Sequence, residues 1–440
     1  MQHESPKPVA PCAFDSHHPP APEIIDKCVH CGFCLPVCPT YVLWHEEMDS
    51  PRGRIYLMKL AREGAAQMDA RWVSHFDSCL GCVACMTACP SGVDYGKLIE
   101  ATRAQIERNY HRSPAEKLRR RLLFATLTRP DRLNLLRWSL VAYQKSGVRS
   151  LLRSSGIFKL LPLFGTMDAL LPPLAAKEKV PETLPARGEK RKRVGLVLGC
   201  VQRAFLSHIN AATARVLAAE GYEVVAPRDQ PCCGALMTHA GEEEQALQLA
   251  RGMIDAFEHA NVDYVVSNAA GCGSNLKEYG YLLRDDPNYA ERAKRFSAKC
   301  RDISEVLAEA PPRAERKPIR ARVAFHDSCH LQHAQGVRTQ PRSLLAQIPG
   351  LELLEIPESA ICCGSAGIYN LVQPEAANAL GDRKASLIRP LQPSVVVTGN
   401  PGCLFQLQAS FERSNQRVPV VHTVQLLDAS IRGATLESLL

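Results

Sequence analysis

The sequence predicts a multidomain chain: an α-helical cysteine-rich module, a basic helical bridge, then two repeated α/β parallel-sheet domains. Three observations predict it. Cys28-Val-His-Cys31-Gly-Phe-Cys34-Leu-Pro-Val-Cys38-Pro39 returns as Cys79-Leu-Gly-Cys82-Val-Ala-Cys85-Met-Thr-Ala-Cys89-Pro90. A basic stretch follows, Arg103 to Arg193, with 21 Lys and Arg against 7 Asp and Glu; its net charge of +14 exceeds the +8 of the whole chain. Cys200, Cys232-Cys233-Gly234 and Cys272 then recur as Cys329, Cys362-Cys363-Gly364 and Cys403, at offsets of 129, 130, 130 and 131 residues. Four cysteines that keep register across two copies mark an internal repeat.

Bulk properties agree. A chain of 440 residues suggests about three domains, and 46% hydrophobic residues can fill several cores. The 18 cysteines cluster in metal-ligand patterns, not as a disulfide framework, which points to a reducing compartment. Residues 1–23 are polar and rich in Pro and His, without the apolar core of a signal peptide. They are expected to be a disordered tail, with Cys12 incidental. The most apolar stretch, Ile157 to Ala176, is interrupted by Lys159, Asp168 and three prolines. It lacks the roughly 18–20 clean apolar residues of a membrane span.

Each N-terminal run is the Cys-x2-Cys-x2-Cys-x3-Cys-Pro pattern that holds a [4Fe–4S] cluster in bacterial-type ferredoxins. The short spacings wrap three thiolates around one corner of a cube, and in two-cluster proteins the fourth Cys ligates the other cluster. Cluster one is therefore assigned Cys28, Cys31, Cys34 and Cys89. Cluster two takes Cys38, Cys79, Cys82 and Cys85. Structural zinc uses two separated Cys pairs instead. Forty residues separate Cys38 from Cys79, more than a hairpin ferredoxin needs. Helices are expected from Ile55 to Gly64 and from Asp94 to Arg108, giving a helical two-cluster ferredoxin domain over 24–110.

Residues 111–193 form the basic bridge and linker. Helices are expected over Pro114 to Leu127, 131–145 and 148–171, and Pro172 to Arg193 reads as a linker. The local charge suits anionic lipid or an acidic partner; the plainer reading is a solvated face. No stacking aromatics accompany the charge in the manner of nucleic-acid binders, so no nucleic acid is expected.

The repeats occupy 194–310 and 320–430. Copy one reads as strand Val194 to Leu198, helix Ala211 to Gly221, strand Tyr222 to Ala226, helix Glu242 to Ala260 and strand Val262 to Ser267. Copy two gives Arg322 to His326, Arg342 to Ile348, Leu351 to Ile356, Glu375 to Ile388 and Ser394 to Thr398. This alternation predicts a parallel sheet. Each cysteine follows the carboxyl end of a strand, the edge where open α/β sheets place their sites. Cys200, Cys232, Cys233 and Cys272 should therefore converge, as should Cys329, Cys362, Cys363 and Cys403. They are candidate additional metal or cluster ligands, for zinc or a further Fe–S cluster; the plainer alternative is buried structural thiols. His326, His330 and His333 around Cys329 either tune or ligate that site, handle quinone protons, or serve as hydrogen-bonded loop residues.

The two cysteine runs, Pro51-Arg-Gly-Arg-Ile-Tyr56 between them, and the doubled Cys-Cys-Gly modules resemble the family of glycolate oxidase iron–sulfur subunits. Narrower likenesses are Ala211-Ala-Thr-Ala-Arg-Val-Leu217, Lys277-Glu-Tyr-Gly280, Leu331-Gln-His-Ala-Gln335 and Cys362-Cys-Gly-Ser-Ala-Gly367. Iron–sulfur subunits of lactate utilisation and of anaerobic glycerol-3-phosphate dehydrogenase are similar, and heterodisulfide reductase shares the Cys-Cys-Gly module. The resemblance spans about residues 24–430. It implies a membrane-associated complex in which a flavoprotein carrying FAD oxidises glycolate to glyoxylate, while this subunit passes electrons through two [4Fe–4S] clusters towards the quinone pool. It implies peripheral attachment to the cytoplasmic face of the inner membrane. This chain shows no dinucleotide fingerprint, so FAD is expected in the partner alone, no catalytic residue is assigned here, and the subunit is not expected to be active by itself. In heterodisulfide reductase the module ends in Cys-x2-Cys; here Asn275 and Gln406 stand at the last position, leaving four thiols per site instead of five. Three other readings compete: the iron–sulfur subunit of a D-lactate or glycerol-3-phosphate dehydrogenase, a thiol/disulfide reductase subunit, and a redox-silent binding protein with structural zinc.

Overall fold

The computed structural model of the protein describes residues 12–174 and 176–439. Helices come first, as expected. Pro51–Arg62 starts at Ser50, whose hydroxyl accepts the Gly53 N–H, with Pro51 in the first turn where its missing N–H costs nothing. Tyr95–Asn109 starts at Asp94, which accepts the Lys97 N–H. Pro39–Trp44, Ala70–Asp77 and Ala84–Thr87 fill the space around the cysteine runs. Ile55, Met58, Trp72, Phe76, Leu98 and Ile106 form their common core.

The expected tail does not extend to residue 23. Residues 1–11 lie outside the described residues, but Phe14 is buried against Trp72. Asp15 accepts hydrogen bonds from Gln105, Arg108 and Asn109. An apolar anchor and a paired carboxylate thus fasten this segment to the Tyr95–Asn109 helix.

The bridge is helical over Pro114–Leu127, Pro130–Lys145, Val148–Ser154 and Pro162–Ala169. The single helix expected over 148–171 is broken at Gly156 and restarted at Pro162. Ion pairs absorb part of the bridge's charge: Asp168 takes Arg149 at 2.9 Å and Arg153 at 2.6 Å, and Arg112 reaches Asp77 at 2.8 Å. Among the described residues no helix is long and apolar enough to cross a membrane.

Two sheets follow. β1 (Thr183–Leu184), β2 (Lys192–Leu196), β3 (Tyr222–Val225), β4 (Tyr264–Ser267) and β5 (Cys300–Asp302) lie in the order β1-β3-β2-β4-β5. β6 (Ala321–His326), β7 (Leu351–Glu355), β8 (Val395–Thr398) and β9 (Val420–His422) lie in the order β7-β6-β8-β9. Every pair is parallel except β1 with β3. Helical connections between strands make this pairing possible. Apart from β1, the copies share one topology.

The copies also pack reciprocally. The Ser207–Ala219 helix of copy one meets Thr423–Arg432 of copy two, and Ile303–Ala308 of copy one meets Thr339–Ala346 of copy two. In each pair the helix after a copy's first core strand meets the helix after the other copy's last strand. This is the self-complementary logic of a two-fold interface, realised within one chain. Arg215 reaches buried Asp428 at 2.7 Å across it, and one apolar core containing Leu196, Val216, Val323 and Leu427 runs through both copies.

Candidate metal centres

Cys28, Cys31, Cys34 and Cys89 line one pocket, closed by Pro51, Arg52 and Ile55, with Cys85 at its inner wall. Burial pushes the Cys28 thiol up, and the neighbouring Cys89 and Cys31 add to it. Cys85 is pushed well above the ordinary range by burial and then by Cys82, Cys79 and Cys38. The structure therefore brings Cys89 to the first run and Cys38 to the second. The first group lies at the surface: Cys31 is exposed, and Val29 and Phe33 beside it are 68% and 66% exposed. Cys38, Cys79, Cys82 and Cys85 are all buried.

Two arginines that the sequence reading did not single out serve the inner group. Arg54 is fully buried and donates to Thr40, Asp49 and Ser78. Arg103 donates to the carbonyls of Phe76 and Cys79. Burial alone raises the Cys79 thiol, but Arg54 and Arg103 outweigh it and bring it below its ordinary value. Tyr95 Oη adds a contact 3.7 Å from Cys79 Sγ. The signal for Arg54 was its place in Pro51-Arg-Gly-Arg, a charge inside an otherwise apolar helix face; Arg103 offered none.

The Cys-Cys-Gly loops also converge. Cys232 Sγ lies 3.6 Å from Cys200 Sγ, and Cys329 Sγ lies 3.9 Å from Cys362 Sγ. Cys233 neighbours Cys272, and Cys363 neighbours Cys403. The motif's glycine is required by its backbone. Gly234 and Gly364 have φ of +79° and +90°, and a Cβ on Gly364 would stand 2.4 Å from the Ala377 carbonyl oxygen.

The two sites differ in one ligand-type residue. The imidazole of His326 and the thiols of Cys363 and Cys403 lie within 4.8 Å of one another, all buried. The matching position in copy one, three residues before Cys200, is Val197. In both copies the first thiol is pushed well up by its neighbour and burial, Cys200 by Cys232 and Cys329 by Cys362. In copy two, contact with Cys363 holds Cys403 well down against burial, and His326 assists. His330 and His333 take a different role. His330 Nε2 lies 3.1 Å from the Gly81 carbonyl and its Nδ1 2.8 Å from Ser274 Oγ. His333 Nδ1 lies 2.7 Å from Thr87 Oγ1. Both clasp the N-terminal module.

Asn275 and Gln406, at the position of a fifth thiol, make backbone hydrogen bonds, Asn275 to its Cys-Cys-Gly loop and Gln406 to the Pro374–Ile388 helix. Asn275 donates to the Cys233 carbonyl at 2.8 Å and Gln406 to the Ala377 carbonyl at 2.8 Å.

The donor sets fit metal. Four free thiols facing one another, all buried or half-buried except exposed Cys31, cannot ionise together without a cation between them. Iron–sulfur groups supply one-electron carriers whose potential follows sulfur hydrogen bonding and exposure. Cys28, Cys31, Cys34 and Cys89 would hold one such group and Cys38, Cys79, Cys82 and Cys85 another. Each Cys-Cys-Gly set would hold a further cluster or zinc.

The inner group abuts copy two. Leu80, Cys82 and Ala84 pack with Ile361, Cys362 and Tyr369, and burial together with Cys362 pushes the Cys82 thiol well up. The three sets thus run from the surface inward: first run, second run, copy two.

Comparison with known proteins agrees with this layout. A 4Fe–4S dicluster domain family matches residues 24–93, the linker region of glycolate oxidase iron–sulfur subunits matches 115–171, and a cysteine-rich domain family matches 194–277 and 323–408. The chain is 39% identical to the probable glycolate oxidase iron–sulfur subunit of Bacillus subtilis, over 91% of this chain and 93% of that one. It is 34% identical to the glycolate oxidase iron–sulfur subunit of Escherichia coli, over 93% and 95%. Lactate utilization protein A of Bacillus licheniformis is 29% identical over 54% of this chain and 99% of its own.

Proposed function

The chain belongs to the family of glycolate oxidase iron–sulfur subunits, and from that premise we propose that it carries electrons from a partner flavoprotein, which oxidises glycolate to glyoxylate, towards membrane quinone. One observation carries the reading: Cys82 of the inner group packs against Cys362 of copy two, behind an outer group whose Cys31 loop reaches the surface. That series of thiol sets supports a relay. Exposed Val29 and Phe33 offer an apolar contact for the flavoprotein beside the outer group. Choice of glycolate over another 2-hydroxy acid resides in the partner's flavin pocket.

Membrane attachment is the second element of the proposal. Leu118, Leu122, Leu135, Trp138, Leu151 and Leu160 of the bridge are exposed, and exposed Lys117, Arg119, Arg121, Arg132 and Lys159 accompany them. Apolar side chains interleaved with cations are the composition of a surface that lies on anionic lipid.

The experiment is iron, acid-labile sulfide and zinc per chain on anaerobically purified protein, read beside EPR of the reduced form with and without flavoprotein and glycolate. Two four-iron clusters give about eight irons, and glycolate with the flavoprotein should reduce them. Iron beyond that, with a new signal, brings the Cys-Cys-Gly sites into the path. Near-zero iron with several zincs after failed reconstitution overturns the relay.

A further inference from the structure

Between the bridge helices and the Cys-Cys-Gly loops lies a cavity of about 680 Å³. Its inner end is walled by cysteines, among them Cys79, Cys329 and Cys362. Its other arm is apolar, lined by Leu136, Leu140, Phe158, Phe164 and Leu171 of the bridge. Phe164 is 58% exposed, so this arm opens to solvent. Thiol-held metal accounts for the inner end; it does not account for an aliphatic arm leading outward.

Besides Arg120 Nε on the bridge, two polar atoms in the wall find no hydrogen-bond partner among the described residues: Tyr369 Oη and His239 Nε2, both buried. The whole Tyr369 side chain is buried, at 4% exposure. A buried polar atom left unpaired is destabilising, and a ligand oxygen at that point supplies the missing partner. Both atoms belong to the cysteine end. Tyr369 lies near Cys79 and Cys362. The His239 carbonyl accepts from Arg103 at 2.8 Å, and Arg103 also bonds the Cys79 carbonyl. The other ring nitrogen of His239 is held 3.0 Å from Glu100 Oε1.

We propose that this cavity binds a lipophilic quinone, its ring between Tyr369 and His239 and its hydrocarbon tail along the bridge arm towards Phe164. The inference rests on the relay reading and gives it a location for the acceptor. The volume falls in the usual range for ligand pockets, about 300–1,000 Å³. A quinone ring has two carbonyl oxygens, and the wall presents two unpaired polar atoms to them: the Tyr369 hydroxyl, and Nε2 of the His239 ring that Glu100 holds at Nδ1. Conversion to the quinol takes two electrons, those the relay draws from the 2-hydroxy acid. It also takes two protons from solvent; each C=O becomes C–OH.

The test is equilibrium binding to the full-length, iron-loaded chain of a fully substituted benzoquinone with a decyl tail, beside the same ring with methyl in its place. Tyr369→Phe should weaken both ligands about tenfold, the upper end for one neutral hydrogen bond. Leu140→Trp, which fills the arm, should weaken the decyl ligand by at least that factor and leave the methyl ligand unchanged. Iron content of each variant checks that its centres are intact. No saturable binding by the unaltered chain, or variants that bind both ligands like the unaltered chain, overturns the proposal. Reduction of the unaltered chain by flavoprotein and glycolate is read separately. Its failure would remove the relay reading and leave the binding result standing.

Discussion

The imidazole of His330 stands with Nε2 3.1 Å from the Gly81 carbonyl oxygen and Nδ1 2.8 Å from Ser274 Oγ. Gly81 lies in the second cysteine run, Ser274 in copy one and His330 in copy two, so one ring joins three parts of the chain. His330→Ala removes both bonds and leaves a buried carbonyl without its donor. The expected cost is about 1–3 kcal/mol, seen as a lower urea midpoint. Protease cutting between the N-terminal module and the repeats should rise with it. An unchanged midpoint would mean that the joint is held elsewhere.

Cys38 closes the first run in sequence but lies beside Cys82 and Cys85 of the second in space. Cys38→Ser should therefore damage the centre of Cys79, Cys82 and Cys85 and spare that of Cys28, Cys31 and Cys34. EPR of the reduced variant, compared with Cys82→Ser and Cys31→Ser, decides between them. If the lost signal is the one that Cys31→Ser removes, the crossed assignment is wrong.

His326 gives copy two a nitrogen donor where copy one has Val197. Because the imidazole and the Cys363 and Cys403 thiols lie within 4.8 Å, His326→Ala should cost copy two its metal while copy one keeps its own. For outer partners of ligands such losses run 10–100-fold in metal affinity; a direct ligand should cost at least as much. Metal content and EPR after dialysis, beside Cys403→Ser and Cys233→Ser, read the effect. A loss equal at both sites would contradict a copy-specific role.

Leu135 and Trp138, 75% and 74% exposed on the Pro130–Lys145 helix, test the lipid surface. Burying one large apolar side chain contributes about 1.5–3 kcal/mol. Replacing both with Glu should cut binding to phosphatidylserine-containing vesicles more than tenfold, with iron content unchanged. Binding by the unaltered chain should fall as salt rises, since the cations contribute through screened attraction. Vesicle binding that ignores both changes would move the contact away from the bridge.

Much of this was legible because periodicity and spacing report local structure. Helix starts at Ser50 and Asp94 are side-chain caps within three residues of their targets, so sequence alone carries them. The register of Cys200 to Cys272 against Cys329 to Cys403 disclosed the repeat for the same reason. What stayed hidden depends on distant partners. β5 and β9 have three residues each, too short for a pattern. Phe14 and Asp15 read as tail because Trp72 and Arg108, which hold them, lie far along the chain. Arg103 sits in a charge-rich stretch where nothing separates a buried guanidinium from its solvated neighbours. The roles of His326, His330 and His333 differ only by where each ring points, and spacing around Cys329 does not encode that.

His422 ends β9, is buried, and spans the two copies. Its Nε2 donates to the Asn268 carbonyl at 2.7 Å, and its Nδ1 accepts the Val424 N–H at 3.2 Å. Only the neutral ring can do both. Burial, the largest influence, lowers its pKa from 6.5 to about 4. Above pH 6.5 neither the folded nor the unfolded state holds this proton, and the contribution to stability is complete. Below it the unfolded state takes up a proton that the folded state refuses, so stability falls by up to about 1.4 kcal/mol per pH unit. The fall ends near pH 4, where the folded ring protonates too. His422→Gln removes the titration, so its stability should decline less steeply between pH 6.5 and 5 than that of the unaltered chain. Urea unfolding of both proteins at pH 7.5, 6 and 5 measures the two slopes, and parallel slopes would show that His422 is not held neutral in the fold.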